Sequence, residues 1–222
     1  MKKTIVLILL SVIANSTAQN LKGFGSVKAF LNVNFANSGF ASAAVGLEYE
    51  INKTFRPEVE FSGFLGSLPL RENTSNGLTT DILTRSFTAI NISFCPKIGL
   101  GEDFENEPNK GFFQIIPIYS ITKIEAKGTL TTYDTKNILR PVSETERYSE
   151  IRHSLGIGIG IYVNLSEKTS DTLALNLYYM GIDFGNSLSN LNFSQGSRYR
   201  TKDVLGLGIN YYFGFVKKKT KQ

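Results

Sequence analysis

Apolar and polar residues alternate with a period of two along most of the chain. From Gly25 to Phe35 the odd positions Val27, Ala29, Leu31, Val33 and Phe35 are apolar, while Ser26, Lys28, Asn32 and Asn34 fall between them. Such alternation predicts a strand with one apolar face. After Asn37-Ser38-Gly39, read as a turn, Ala41, Ala43, Val45, Leu47, Tyr49 and Ile51 alternate with Ser42, Gly46, Glu48 and Glu50. That second strand is long enough to cross a membrane with tilt. A tight turn at Asn52-Lys53-Thr54 leads to a third strand, in which Phe55, Val59, Phe61 and Leu65 alternate with Arg56, Glu58, Glu60 and Ser62. Short links between consecutive strands predict antiparallel, up-and-down order.

The same reading predicts strands over 85–96, 112–126, 149–165, 173–179 and 205–215, for a total of eight. In the fifth, Pro117 removes a ladder donor and predicts a bulge or local break. In the sixth, Ile151, Leu155, Ile157, Ile159, Ile161 and Val163 share one face against Glu150, Arg152, Gly156, Gly158 and Gly160. In the eighth, Leu205, Leu207, Ile209, Tyr211, Phe213 and Phe215 oppose Gly206, Gly208, Asn210 and Gly214. The polar stretches 67–84, 127–147 and 186–200 read as loops, and 97–111 as a Gly- and acid-rich connection.

Two folds suit this alternation. A soluble lipocalin-like barrel points its apolar face inward, whereas a transmembrane barrel points it at lipid. The opposite face decides, because glycines 156, 158, 160, 206 and 208 make a poor water-facing surface but fit the narrow interior of an eight-stranded barrel. Room is then left for larger inward neighbours such as Arg152, Tyr178 and Tyr212. Aromatic residues near strand ends, Phe35, Phe40, Tyr49, Phe55, Tyr211 and Phe213, are placed to form interfacial girdles. The predicted fold class is all-β: an eight-stranded antiparallel up-and-down transmembrane β-barrel.

Length and charge refine this picture. Met1-Lys2-Lys3, an apolar stretch from Ile5 to Ala14 and the small-x-small triplet Ser16-Thr17-Ala18 have the order of a secretory signal peptide over 1–18, with cleavage between Ala18 and Gln19. The expected organisation is that signal, one barrel domain over 19–216 and a basic tail over 217–222. Removing the signal lowers the formal charge from +5 to +3, and Lys217, Lys218, Lys219 and Lys221 concentrate cations in the tail. No recognisable nucleic-acid-binding element gathers the remaining basic residues, so no nucleic-acid partner is expected. Cys95 is the sole cysteine, which leaves no internal disulfide, and it reads as a small residue inside a strand.

Over the mature chain these strands resemble the OmpA/OmpX-type outer-membrane β-barrel family. The sharpest local likeness is Gly208-Ile209-Asn210-Tyr211-Tyr212-Phe213, similar to the terminal insertion signal of that family, with Gly208, Tyr211 and Phe213 as its marked positions. The chain departs from the family by continuing through Phe215 into the basic tail. The resemblance implies a cell outer-membrane location, with outer-membrane lipid and the barrel-assembly machinery as partners. Gln19 directly after the cleavage site is similar to exported proteins of the Bacteroidota.

Candidate chemistry is sparse. A turn centred on Ser38 would set Lys28 opposite Glu48, and one centred on Lys53 would set Glu50 opposite Arg56 and Glu48 opposite Glu58. All of these point inward, so a lumenal salt-bridge network is expected from Lys28, Glu48, Glu50, Arg56, Glu58, Glu60, Glu150 and Arg152, since buried charges must be paired. Such a cluster is either a polar plug or an ion gate, and the narrow bore favours the plug. His153 is the only histidine, which argues against a His-based metal site, and its neighbour Ser154 points to the opposite face. Outer-membrane lipid A deacylases use a histidine and serine on one face, a spacing this chain lacks. No catalytic residue, cofactor or metal is expected. The leading expectation is a non-enzymatic barrel whose surface loops meet an external partner; the alternatives are a narrow transport or ligand-binding barrel and an outer-membrane lipid-modifying enzyme.

Overall fold

The computed structural model describes residues 20–32, 35–52, 54–67, 72–75, 79–100, 111–134, 137–165, 171–193 and 204–214. The signal segment 1–18, the Ala18–Gln19 junction and the tail 217–222 lie outside the described residues.

Strands β1 (Leu21–Asn32), β2 (Phe35–Tyr49), β3 (Phe55–Ser67), β5 (Thr79–Leu100), β6 (Gly111–Asp134), β7 (Asn137–Asn164), β8 (Thr172–Met180) and β9 (Val204–Gly214) pair antiparallel in chain order, and β1 pairs β9. Eight strands thus close into a ring. The four-residue β4 (Glu72–Ser75) pairs with the first part of β5, beyond the stretch that pairs with β3. A short helix, α1 (Phe184–Ser189), lies between β8 and β9.

Alternation sets the faces. Val27, Val45, Phe61, Ile92, Ile159, Leu175 and Leu207, each on a different strand, are exposed on the outside. Lys28, Glu48, Glu60, Asn91, Asn176 and Asn210 are buried inside. A water-soluble protein rarely exposes a contiguous apolar patch of more than a few hundred Å². Here the patch girdles the molecule, so the expected transmembrane orientation, apolar residues out and polar residues in, is the one observed.

Inward glycines make the filling possible. A Cβ on Gly206 would lie 2.4 Å from the Phe30 ring, and one on Gly208 would lie 2.8 Å from both Lys28 and Tyr178. Outward Gly25 has nothing within 4 Å. Gly206→Val should therefore lower unfolding stability by about 1–3 kcal/mol through overpacking, while Gly25→Val leaves it unchanged. Urea titration of the folded barrel monitored by tryptic resistance measures both.

Several expectations are corrected. Asn37-Ser38-Gly39 is not a turn but part of β2, and Lys28 faces Ser42 while Glu48 faces Lys22. The ladder shifts register between Leu31 and Asn32, so the hairpin closes nearer to β1 than the turn residues suggest. Phe40 is buried inside the barrel, not in a girdle. The Phe35 side chain is outside the described residues.

The stretches read as the loops 67–84 and 127–147 are largely strand: β4 and the start of β5 fill one, and β6 and β7 run through the other to Asp134 and from Asn137. Their Thr, Tyr and Val content supports strand even where composition is polar. Part of 186–200 is helical, because Asp183 caps α1 by accepting a hydrogen bond from the Asn186 backbone N–H at 3.0 Å. Pro117 interrupts the ladder on one side only. β6 pairs continuously with β7 through Pro117–Ile157, whereas its pairing with β5 skips from Phe94–Tyr119 to Ile98–Ile115 without a change of register.

Candidate functional site

The inward side chains among the described residues gather in two layers. One is ionic and lies toward the end that carries the β2–β3 turn. Lys97, fully buried on β5, donates to the Glu48 carboxylate at 2.9 Å and also contacts the Glu58 carboxylate and the Tyr212 hydroxyl. Tyr212 in turn donates to Glu58 at 3.0 Å. Beside this hub Lys28 donates to Glu60 at 2.6 Å, and Ser26 donates to Asn210 at 2.7 Å. The Arg56 guanidinium packs against the adjoining Phe112 and Tyr162 rings, 4.3 and 4.2 Å from their centroids, in cation–π contact with both. Among the described residues, the buried cations Lys28, Arg56 and Lys97 thus share the layer with the buried carboxylates Glu48, Glu58 and Glu60. Neutral balance of this kind is what makes buried charge tolerable.

The other layer is aromatic. Phe30, Phe40, Phe64 and Phe87 converge from β1, β2, β3 and β5, and Phe184 of α1 drops onto them. Phe184 stacks on Phe87 with centroids 4.2 Å apart and meets Phe40 edge-on at 5.0 Å. Leu188 and Leu191 complete the cap. Between the layers Asn91 donates to Ser62 at 3.0 Å and accepts from Thr122 at 2.9 Å.

The expected network residues separate into three groups. Lys28, Glu48, Arg56, Glu58 and Glu60 meet in the ionic layer. Glu50 is 4.0 Å from Lys22 at the rim, and it is not on the ladder opposite Arg56. Glu150 and Arg152 pair with each other at 2.9 Å toward the opposite end, where Ser187 of α1 donates to Glu150. Lys97 was missed by the sequence reading because strand four ends at Pro96 there; β5 in fact runs on to Leu100. The parity of Ser93, Cys95 and Lys97 was the available signal. Cys95 is buried on the lumenal face. Gly208 faces inward, while Tyr211 and Phe213 are exposed outside. His153 also points outward, its Nδ1 2.7 Å from the Tyr119 hydroxyl, and Ser154 lies on the other face.

Beyond the apolar belt β5, β6 and β7 continue as a protruding sheet. Its inner face packs on the β8–β9 segment, with Phe193 and Leu191 against Gly128. Its outer face is polar: Thr84, Ser86, Lys127, Thr129, Thr145 and Arg147. β8 pairs with β7 only over Gly156–Asn164, so among the described residues no strand covers this side of β7 from Asn137 to Ser154. Among the described residues no cluster of His, Cys, Asp and Glu could hold a metal ion.

A closed antiparallel ring with an apolar exterior and buried polar side chains inside defines the small outer-membrane type of β-barrel. No family model matches the chain, and no curated protein does. Among solved structures, the chain is similar to Ail, the attachment invasion locus protein of Yersinia pestis, at 12% identity and a TM-score of 0.41 over 88% of this chain and 99% of that one. Neisserial surface protein A is similar at 10% identity and a TM-score of 0.42, covering 88% and 96%. A major outer membrane protein from Thermus thermophilus is similar at 13% identity and a TM-score of 0.43, covering 86% and 99%. The fold assignment rests on the ring and its exterior.

Proposed function

We propose that the chain is a non-enzymatic integral barrel of the cell outer membrane, closed to solutes, that uses its protruding sheet to meet an external partner. The observation that carries this reading is the side of β7 over Asn137–Ser154 that no strand covers among the described residues, raised beyond the belt. An uncovered strand edge is a template for another extended chain, because its free N–H and C=O groups recruit a partner strand. The buried ion pairs and the aromatic cluster across the lumen support the closed reading.

Orientation follows from the connections. The link from β2 to β3, Tyr49 to Phe55, is short as periplasmic turns are, which makes that side periplasmic and the protruding sheet external in this reading. Thr145→Cys should react with a membrane-impermeant maleimide on intact cells, and Thr54→Cys should not. The wild-type chain is the blank, because Cys95 is buried. Labelling of Thr54→Cys alone would reverse the orientation and remove the external partner. In planar bilayers the purified barrel should give no unitary conductance steps; clear steps would replace the plug by the narrow-transport alternative.

A further inference from the structure

Three prolines fall in one row around the wall. Pro57 of β3 stands opposite Pro96 of β5. Because the β5–β6 ladder keeps one register from Phe94–Tyr119 to Ile98–Ile115, Pro96 in turn stands opposite Pro117 of β6. In an antiparallel ladder only alternate pairs exchange hydrogen bonds, since the backbone groups of a strand point in turn to its two neighbours. The Gly99 N–H donates to the Thr54 carbonyl at 2.7 Å, so odd residues of β5 bond toward β3 and even ones toward β6. The Gly181 N–H donates to the Leu155 carbonyl at 3.0 Å, so odd residues of β7 bond away from β6, which leaves the odd residues of β6 to bond toward β5. Pro96 and Pro117 therefore meet where each residue should both donate and accept, and neither has an N–H. Two rungs are lost, which is why the pairing skips from Phe94–Tyr119 to Ile98–Ile115, and the two proline carbonyls face each other without a backbone donor between them. Pro57 costs the β3–β5 ladder nothing, because that pair is one that exchanges no hydrogen bonds.

These carbonyls lie within the apolar belt. Phe94 and Ile98 flank Pro96 on the outside, and Cys95, Ile116 and Ile118 are buried on the lumenal side. The Lys97 ammonium is committed to Glu48, Glu58 and Tyr212. Hydrocarbon supplies no donor, so backbone carbonyls at this depth need a partner from within the wall. We propose that the Pro96–Pro117 step is a binding site for one water molecule, held between β5 and β6 and donating one O–H to each carbonyl. Water offers the two donors that a pair of acceptors requires, whereas a hard metal cation takes about six or more oxygens. Along the seam only three residue pairs, Ile98–Ile115, Gly99–Gln114 and Leu100–Phe113, separate the site from the described ends of β5 and β6. The bridging water thus splices the lower ends of these strands, which bring Lys97 and Phe112 to the ionic layer, onto the rest of their ladder. The proposal rests on the membrane reading given above, under which bulk water does not reach the outer wall.

The test uses the full folded chain in lipid vesicles, labelled with 13C at the proline carbonyls and read by solid-state NMR as magnetisation transfer from water to each carbonyl carbon. The Pro96 and Pro117 signals, identified by their loss in Pro96→Ala and Pro117→Ala, should both receive transfer in the wild-type chain, as should Pro141, which is exposed on the protruding sheet. Pro96→Ala restores an N–H opposite Pro117, so the Pro117 carbonyl should lose its water transfer and take up a backbone hydrogen bond, while Pro141 keeps its transfer. Pro117→Ala should do the same to the Pro96 carbonyl. Absence of transfer to Pro96 and Pro117 in the wild-type chain, or transfer to the Pro117 carbonyl that survives Pro96→Ala in a chain that still migrates as a folded barrel, would overturn the proposal. If a variant fails to fold, the wild-type transfer to the two carbonyls decides. Absence of any heat-dependent migration in the wild-type chain would instead remove the membrane reading beneath it.

Discussion

Replacing Lys97 by methionine should destabilise the folded barrel by about 3–5 kcal/mol, the cost of breaking a buried ion pair from one side. Among the described residues Lys97 is the one cation in contact with both Glu48 and Glu58, and all three are buried. Without it two carboxylates remain in the lumen with Tyr212 and Tyr162 as hydroxyl neighbours. The triple variant Lys97→Met, Glu48→Gln, Glu58→Gln should recover a large part of the loss, since it removes the uncompensated charge along with the pairs. Equilibrium unfolding in urea of the two variants, in matched lipid vesicles, gives the comparison. Equal stability of Lys97→Met and wild type would mean that water, not protein, solvates the lumenal charges, and the plug would have to be abandoned.

The second large effect belongs to the exterior. Ile159→Arg, at an outward position in the middle of the β7 portion of the belt, should cost about 2–4 kcal/mol in a bilayer, the range for a cation near the midplane of a transmembrane barrel. Thr131→Arg, on the outer face of the protruding sheet, should cost almost nothing. Both side chains face away from the lumen, and Thr131 is half-buried while Ile159 is 55% exposed in the isolated molecule. Simple burial therefore predicts the opposite ranking from lipid depth. Vesicle-based unfolding that found Ile159→Arg harmless would place water, not lipid, against that wall.

Strand parity was legible in the sequence, and register was not. Moving the β1–β2 turn from Ser38 to the observed closure changes the partner of Lys28 from Glu48 to Ser42, yet both pairings join residues of the same parity. Inside and outside were therefore right while the contact was wrong, because a shift by an even number of positions preserves the faces. The β2–β3 register was legible, since the compact Asn52-Lys53-Thr54 turn left little freedom: Asn52 accepts hydrogen bonds from the Thr54 and Phe55 backbone N–H groups, and Glu48 does face Glu58.

The protruding sheet was obscured for a different reason. Outside the belt neither face must be apolar, so Thr129, Thr131, Ser143 and Thr145 alternate with little contrast in hydropathy and read as loop. The helical cap carried a signal that the surrounding Ser and Asn residues masked: Phe184, Leu188 and Leu191 recur at helical spacing. Lys97 was hidden by Pro96, a residue that often ends strands but sits here on the outward side of a continuing one, with Pro57 of β3 directly opposite.

The claim that everything else depends on is that the apolar face meets lipid. Electrophoresis of the outer-membrane fraction in SDS, with and without boiling, tests it most directly, since a closed membrane barrel resists SDS until heated. The account predicts the chain in that fraction with a migration shift on boiling; recovery as a soluble protein with identical migration before and after heating would contradict it.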